Sequence, residues 1–128
     1  MSRSEVFEKL GPLCREFVES RYLDLVDRLI EAGASVSDEV VEVLRALANS
    51  VRLRIVAVMS VARRPLPLCL LAAVLDVDPQ TLLYHVRALK EAGLLREMSV
   101  GRLRILELDR ERLHSSLRAL AKALGLEV

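Results

Sequence analysis

The stretch Leu75-Asp76-Val77-Asp78-Pro79-Gln80-Thr81-Leu82-Leu83-Tyr84-His85-Val86-Arg87 decides how this chain folds. Leu68 to Leu75, before it, is an apolar run long enough for a short helix. Asp76 to Asp78 leaves room only for a tight turn, so the segments on either side must fold against each other. Asp78 suits an N-cap and Pro79 the first helical turn, which predicts a helix from Pro79 to Ala92, closed by Gly93. Within it Leu82, Val86 and Leu89 recur at i, i+4 and i+7, the buried stripe of an amphipathic helix. Leu94 to Ser99 and Arg102 to Leu108 then alternate about Val100-Gly101, as the strands of a hairpin do, with the turn at Ser99-Val100-Gly101-Arg102.

Upstream, Ser2 and Glu5 have capping-box spacing, and Val6, Leu10, Leu13 and Phe17 follow at helical intervals, with a break or kink at Gly11-Pro12. The pattern resumes through Phe17, Val18, Leu25, Val26, Leu29 and Ile30, and Gly33 is the expected stop. Ser37 is placed to cap a helix from Asp38 to about Ala48, and Asn49 or Ser50 to cap one carrying Ile55, Val58 and Met59. Arg63-Arg64-Pro65 ends that helix, and Pro67 suits the first turn of the next. Asp109 is the expected cap of a last helix with Leu113, Leu117, Leu120 and Leu124. The fold class is mainly α with a small β-hairpin. Its segments are an N-terminal helical extension (1–36), a central domain (37–109) and a C-terminal helix (110–128).

A chain of 128 residues with 52% hydrophobic and 29% charged residues is long enough to bury a real core, and 3% aromatics leave Leu, Val and Ala to fill it. Pro65 to Leu75, the longest run without charge, falls far short of a membrane span, and the first residues lack the apolar stretch of a secretory signal. Cys14 and Cys69 make no disulfide framework, which fits a reducing, cytoplasmic setting. Both thiols are expected as small buried hydrophobes, the alternative being a redox switch through their pairing or through Cys69 alone. No Gly-rich phosphate loop, serine elbow or metal-ligand spacing indicates enzyme chemistry, a metal site or a cofactor. The net charge of +1 conceals an asymmetry. From Ser50 to Arg112 eleven basic residues oppose seven acidic ones, whereas Met1 to Asn49 holds six basic and ten acidic. A basic half that coincides with a helix-turn-helix points to phosphate.

On the helix from Pro79, the face opposite the buried stripe carries Gln80, Tyr84 and Arg87, with Leu83 on its flank and Thr81 in the same first turn. This leading part of such a helix enters a major groove. Gln can bond an adenine edge, Arg can bond guanine through two N–H groups, Leu can touch a thymine methyl, and Tyr84 can reach a phosphate or a base edge. His85 lies toward the core stripe and is expected as a core histidine with a satisfied ring nitrogen. Arg102 and Arg104, with Arg96 at the hairpin base, are placed to meet the sugar-phosphate backbone or the minor groove.

Three stretches carry a family resemblance: Leu44-Arg45-Ala46-Leu47-Ala48-Asn49-Ser50-Val51-Arg52-Leu53-Arg54-Ile55, then Pro79 through Leu94, then Gly101-Arg102. In order and spacing they resemble the arsenic-repressor (ArsR-like) winged helix-turn-helix regulators, over about Val40 to Arg112. The resemblance implies a homodimer that binds a palindromic operator in double-stranded DNA, as a repressor released by a signal. Members that sense metals often carry a Cys-x-Cys pair before the recognition helix. Cys69 matches its second member while Pro67 occupies the first, and His114 has Leu117 and Arg118 at i+3 and i+4, so no ligand set is implied. Leu83 replaces a small polar residue common at that position. The effector ligand is not indicated. The apolar residues Phe17, Val18, Leu23, Leu25, Val26, Leu29 and Ile30 exceed what one small domain can cover, so the N-terminal and C-terminal helices are expected at a dimer interface. The alternative function is a winged-helix protein-interaction module of transcription or DNA-maintenance machinery, for which Leu83 and Tyr84 on the exposed face speak.

Overall fold

A computed structural model describes residues 1–126, and the chain forms two compact units, Met1–Ser37 and the remainder from Asp38. The first holds α1 (Arg3–Glu8), α2 (Pro12–Arg21) and α3 (Val26–Ala34). Ser2 and Glu5 form the expected capping box, and Ser2 hydrogen bonds hold the Glu5 carboxyl below its ordinary value. Gly11-Pro12 does break the helix: Gly11 is the N-cap of α2 and Pro12 its first residue. Arg15 donates to the carbonyl of Phe7 at 2.7 Å and ties the two helices across that break.

The continuous helix expected up to Ile30 is interrupted at Tyr22–Leu25, where the Leu25 amide donates to the Tyr22 carbonyl. Packing within the unit overrides the local period, because the turn returns α3 to α1, where Arg3 pairs with Asp27 at 2.6 Å. Gly33 is not the stop. Helix α3 passes through it to Ala34, and the Ser35 hydroxyl caps the end by donating to the Ala32 carbonyl. Val6, Leu10, Val18, Tyr22, Val26, Leu29 and Ile30 line an apolar groove of about 470 Å³ in this unit.

The second unit contains α4 (Asp38–Leu47), α5 (Ser50–Ala62), β1 (Leu66–Pro67), α6 (Leu68–Leu75), α7 (Pro79–Glu91), β2 (Leu95–Val100), β3 (Leu103–Leu108) and α8 (Arg110–Ala123). Asn49 caps α5 by accepting from Val51 and Arg52, and Asp109 caps α8 by accepting from Arg112. The expected C-terminal segment runs to 128, but its last two residues lie outside those described. Val43, Ile55, Met59, Leu71, Leu82, Val86, Leu89, Leu94 and Leu106 are fully buried and form one core shared by α4 to α7 and the sheet.

The hairpin supplies two strands of a three-stranded antiparallel sheet in the order β1-β3-β2. Pro67 does not open a helix. It is extended, at φ −64° and ψ 144°, and stands opposite Ile105 in β1 as it caps α6. A two-residue strand has no periodicity to read, and only pairing with β3 defines it. The hairpin register sets Val100 opposite Leu103, leaving a two-residue loop of Gly101 and Arg102, one position beyond the expected centre. Gly101 has φ +60°, the conformation that a first loop residue of this kind requires. Both cysteines are exposed, against the expectation of burial. Cys69 falls on a face of the short helix α6 turned away from Leu71 and Leu75, which are the residues that enter the core.

Candidate nucleic-acid interface

Helix α7 is held from both ends. Asp78 accepts from the amides of Gln80 and Thr81 at 3.1 and 3.2 Å, and Gly93, at φ +77°, lets the chain turn into β2. Leu82, His85, Val86 and Leu89 are buried on the inner side. Gln80, Thr81, Tyr84 and Arg87 are exposed on the outer side, Tyr84 by 63%, and Leu83 is half-buried. At about 100° per residue, Gln80, Tyr84 and Arg87 fall within a narrow arc of one helical face. The Arg87 side chain makes no hydrogen bond or ion pair among the described residues.

His85 is buried, as the sequence suggested, and its partner comes from α5. Arg52 Nε donates to His85 Nδ1 at 3.1 Å. Burial first, and the Arg52 charge second, hold the imidazole below its ordinary pKa, so near neutrality it is an uncharged acceptor. The Tyr84 ring meets that of His85 edge-on at 5.1 Å, and the Arg52 guanidinium stands 5.7 Å from the centre of the Tyr84 ring. Sequence reading of α7 alone did not find Arg52. It lies 33 positions from His85, and only the packing of α5 on α7 brings them together.

The expected wing arginines differ in their commitments. Arg102, at the tip, is exposed and has no partner among the described residues. Arg104 grips Glu97 through Nε and Nη2 at 2.6 and 2.8 Å. Glu97 also accepts from Lys90 Nζ at 3.0 Å. Hydrogen bonds from Arg104, then from Lys90, push the Glu97 carboxyl down to about 2. The carboxylate thereby joins α7 to the hairpin. Arg96 is engaged by Glu107 at 3.0 Å and by Asp109 at 3.4 Å. On the same face of the hairpin as Arg96 and Glu107, and opposite to Glu97 and Arg104, Met98, Val100 and Leu103 are exposed.

Among the described residues, no three His, Cys, Asp or Glu side chains converge to hold a metal ion, and no helix is long and apolar enough to cross a membrane.

Two helices folded about a tight turn, with an antiparallel hairpin beside the second, define a winged helix-turn-helix. A helix-turn-helix domain family model matches residues 47–97. Among solved structures, the ArsR-like transcriptional regulator from Rhodococcus sp. RHA1 is 26% identical, over 68% of this chain and 79% of its own, with a TM-score of 0.58. The homodimeric winged helix-turn-helix DNA-binding domain from Mycobacterium bovis is 26% identical, over 69% and 79%, with a TM-score of 0.55. A transcriptional regulator homologue from Pyrococcus horikoshii OT3 is 28% identical, over 70% and 92%, with a TM-score of 0.50. A search of curated protein sequences found no match. The chain is therefore a winged helix-turn-helix protein similar to ArsR-family transcriptional regulators, as the sequence motifs implied.

Proposed function

We propose that this protein is a homodimeric transcriptional regulator that reads double-stranded DNA, acting as a repressor. Helix α7 lies in the major groove and the wing tip at Arg102 meets the backbone or the minor groove. The observation that carries this reading is the outer face of α7, where Gln80, Tyr84 and Arg87 project together and Arg87 is left uncommitted by the fold. Arg87 and Gln80 are assigned base edges, Leu83 and Tyr84 groove contact, and Thr81 and Arg102 the backbone. Arg96 and Arg104 join them only by exchanging a carboxylate partner for phosphate. The similarity to a homodimeric DNA-binding domain supports the two-fold assembly. So do the apolar groove of the first unit and the exposed Leu117 and Leu124 near the end of the chain, and residues 1–36 and 110–128 are assigned to the interface. No enzymatic step is assigned. The setting is cytoplasmic, where such a regulator meets DNA.

The exposed apolar side chains Met98, Val100 and Leu103 favour a second reading, in which the wing docks on another protein. Selection of bound sites from random duplex DNA at two salt concentrations, with protein of known oligomeric state, separates the two. An enriched inverted repeat bound by a dimer supports the regulator, and absence of binding at low salt supports the protein-contact reading.

A further inference from the structure

Arg52 lies in the first turn of α5, where the helix dipole adds positive potential, and it commits one donor, Nε, to His85. Its terminal guanidinium nitrogens have no hydrogen-bond or ion-pair partner among the described residues. They stand beside Tyr84, the most exposed aromatic residue of the outer face of α7. A planar fork anchored at one corner with its other donors free is suited to a phosphate oxygen. We propose that Arg52 contacts a DNA backbone phosphate at the edge of the groove entered by α7, and that neutral His85 is the positioning residue that aims it. The inference rests on the DNA-binding reading above and adds to it a residue and a pH dependence.

The anchor exists only while Nδ1 of His85 carries a lone pair. Protonation puts an N–H where Arg52 Nε donates and sets two cations against each other. Arg52 is the charged group that faces the ring from α5. Helix α4 brings Glu42 and Arg45, and α7 brings Glu91, to the shallow groove that Arg52 borders. Helix α6 contributes only Cys69 as a titratable side chain, and the Glu97 carboxylate of β2 is held by Lys90 and Arg104. No carboxylate hydrogen-bonds to His85 among the described residues, so the added proton gains no direct anionic partner. Burial and the Arg52 charge keep the ring below its ordinary 6.5, so binding is complete at neutral pH and falls as the solution is acidified. The sign is diagnostic, because a histidine that itself touched phosphate would bind more tightly on acidification.

The test uses the full chain and a fluorescein-labelled random-sequence duplex of about 30 base pairs, long enough for two half-sites. Anisotropy is followed between about pH 7.5 and pH 5.5, the range in which histidine titrates, and across a salt series. The variants are Arg52→Ala, Arg52→Gln (which keeps a donor for His85 without the charge), His85→Asn (whose amide oxygen takes the place of Nδ1 at every pH) and Arg102→Ala as control. Circular dichroism establishes that each is folded. The expected results are a roughly tenfold loss for Arg52→Ala, the size of one charge-assisted hydrogen bond, and a salt slope flatter by about one for both Arg52 variants. Wild type and Arg102→Ala should weaken on acidification while His85→Asn does not. Should Arg52→Gln keep the wild-type slope, or His85→Asn titrate as wild type does, the proposal is overturned and DNA binding stands. Failure of wild type to bind at low salt overturns the DNA-binding reading and the proposal together.

Discussion

Replacing Glu97 by Gln should make the protein less stable and, at the same time, a more salt-sensitive DNA binder. Glu97 holds Arg104 through two hydrogen bonds and Lys90 through one, and its side chain is only 16% exposed. Its carboxyl is displaced from the ordinary 4.5 to about 2, a difference equivalent to about 3 kcal/mol. The cations are 44% and 39% exposed, so water and salt screen much of this, and about 1–2 kcal/mol is the expected net loss. For a unit of this size that lowers the melting temperature by roughly 5–15 °C.

Because the folded-state pKa is depressed, the contribution is complete above about 4.5 and disappears as the pH falls toward 2. The difference in melting temperature between wild type and Glu97→Gln should therefore be full at neutral pH and shrink below about pH 4.5. Glu97→Gln also releases Lys90 and Arg104 beside the recognition helix, so the salt slope of DNA binding should steepen by about one to two. Thermal denaturation followed by circular dichroism across pH, with anisotropy across salt, measures both. A stability gap that stays constant down to about pH 3 would refute the ionised carboxylate as its source. An unchanged salt slope would refute the view that Glu97 withholds these cations from phosphate.

Three further outcomes are expected. Arg87→Ala should cost about 1–3 kcal/mol in binding to the selected site and relax the preference at one base position, as binding to single-base variants of that site would report. Arg102→Ala should weaken all sequences alike and flatten the salt slope by about one, since the wing tip is read as a phosphate contact. Asp78→Ala removes the acceptor for two amides at the head of α7 and should lower stability by about 1 kcal/mol in urea denaturation.

The recognition helix was legible because its signals are local. Asp78-Pro79 starts it, Gly93 follows it, and Leu82, Val86 and Leu89 set its buried stripe, each readable within a few positions. The first unit was less so, because the break at Tyr22–Leu25 follows from returning α3 to α1, a constraint that the apolar period of residues 17–30 does not contain. Strand β1 was invisible for a related reason. Two residues cannot show a period, and Pro67 reads equally well as the start of a helix.

The basic excess shows most clearly where sequence counting stops. Of the eleven basic residues from Ser50 to Arg112, only Arg63, Arg64, Arg87 and Arg102 make no side-chain hydrogen bond or ion pair among the described residues. Arg54 donates to the Leu75 carbonyl, Arg110 to those of Met59 and Ser60, and Arg112 to that of Ala92 while it pairs with Glu39. Arg96, Arg104 and Lys90 hold carboxylates, and Arg52 holds His85. Much of the charge that looked like a surface for phosphate therefore joins helices, loops and wing into one frame. Arg63 and Arg64 end α5 at the base of the sheet, among residues of the start of α8. That leaves Arg87 on α7 and Arg102 at the wing tip as the uncommitted cations of the reading surface, with Arg52 half committed beside them. A regulator of this shape needs few charges for DNA, provided that the others hold those few in place.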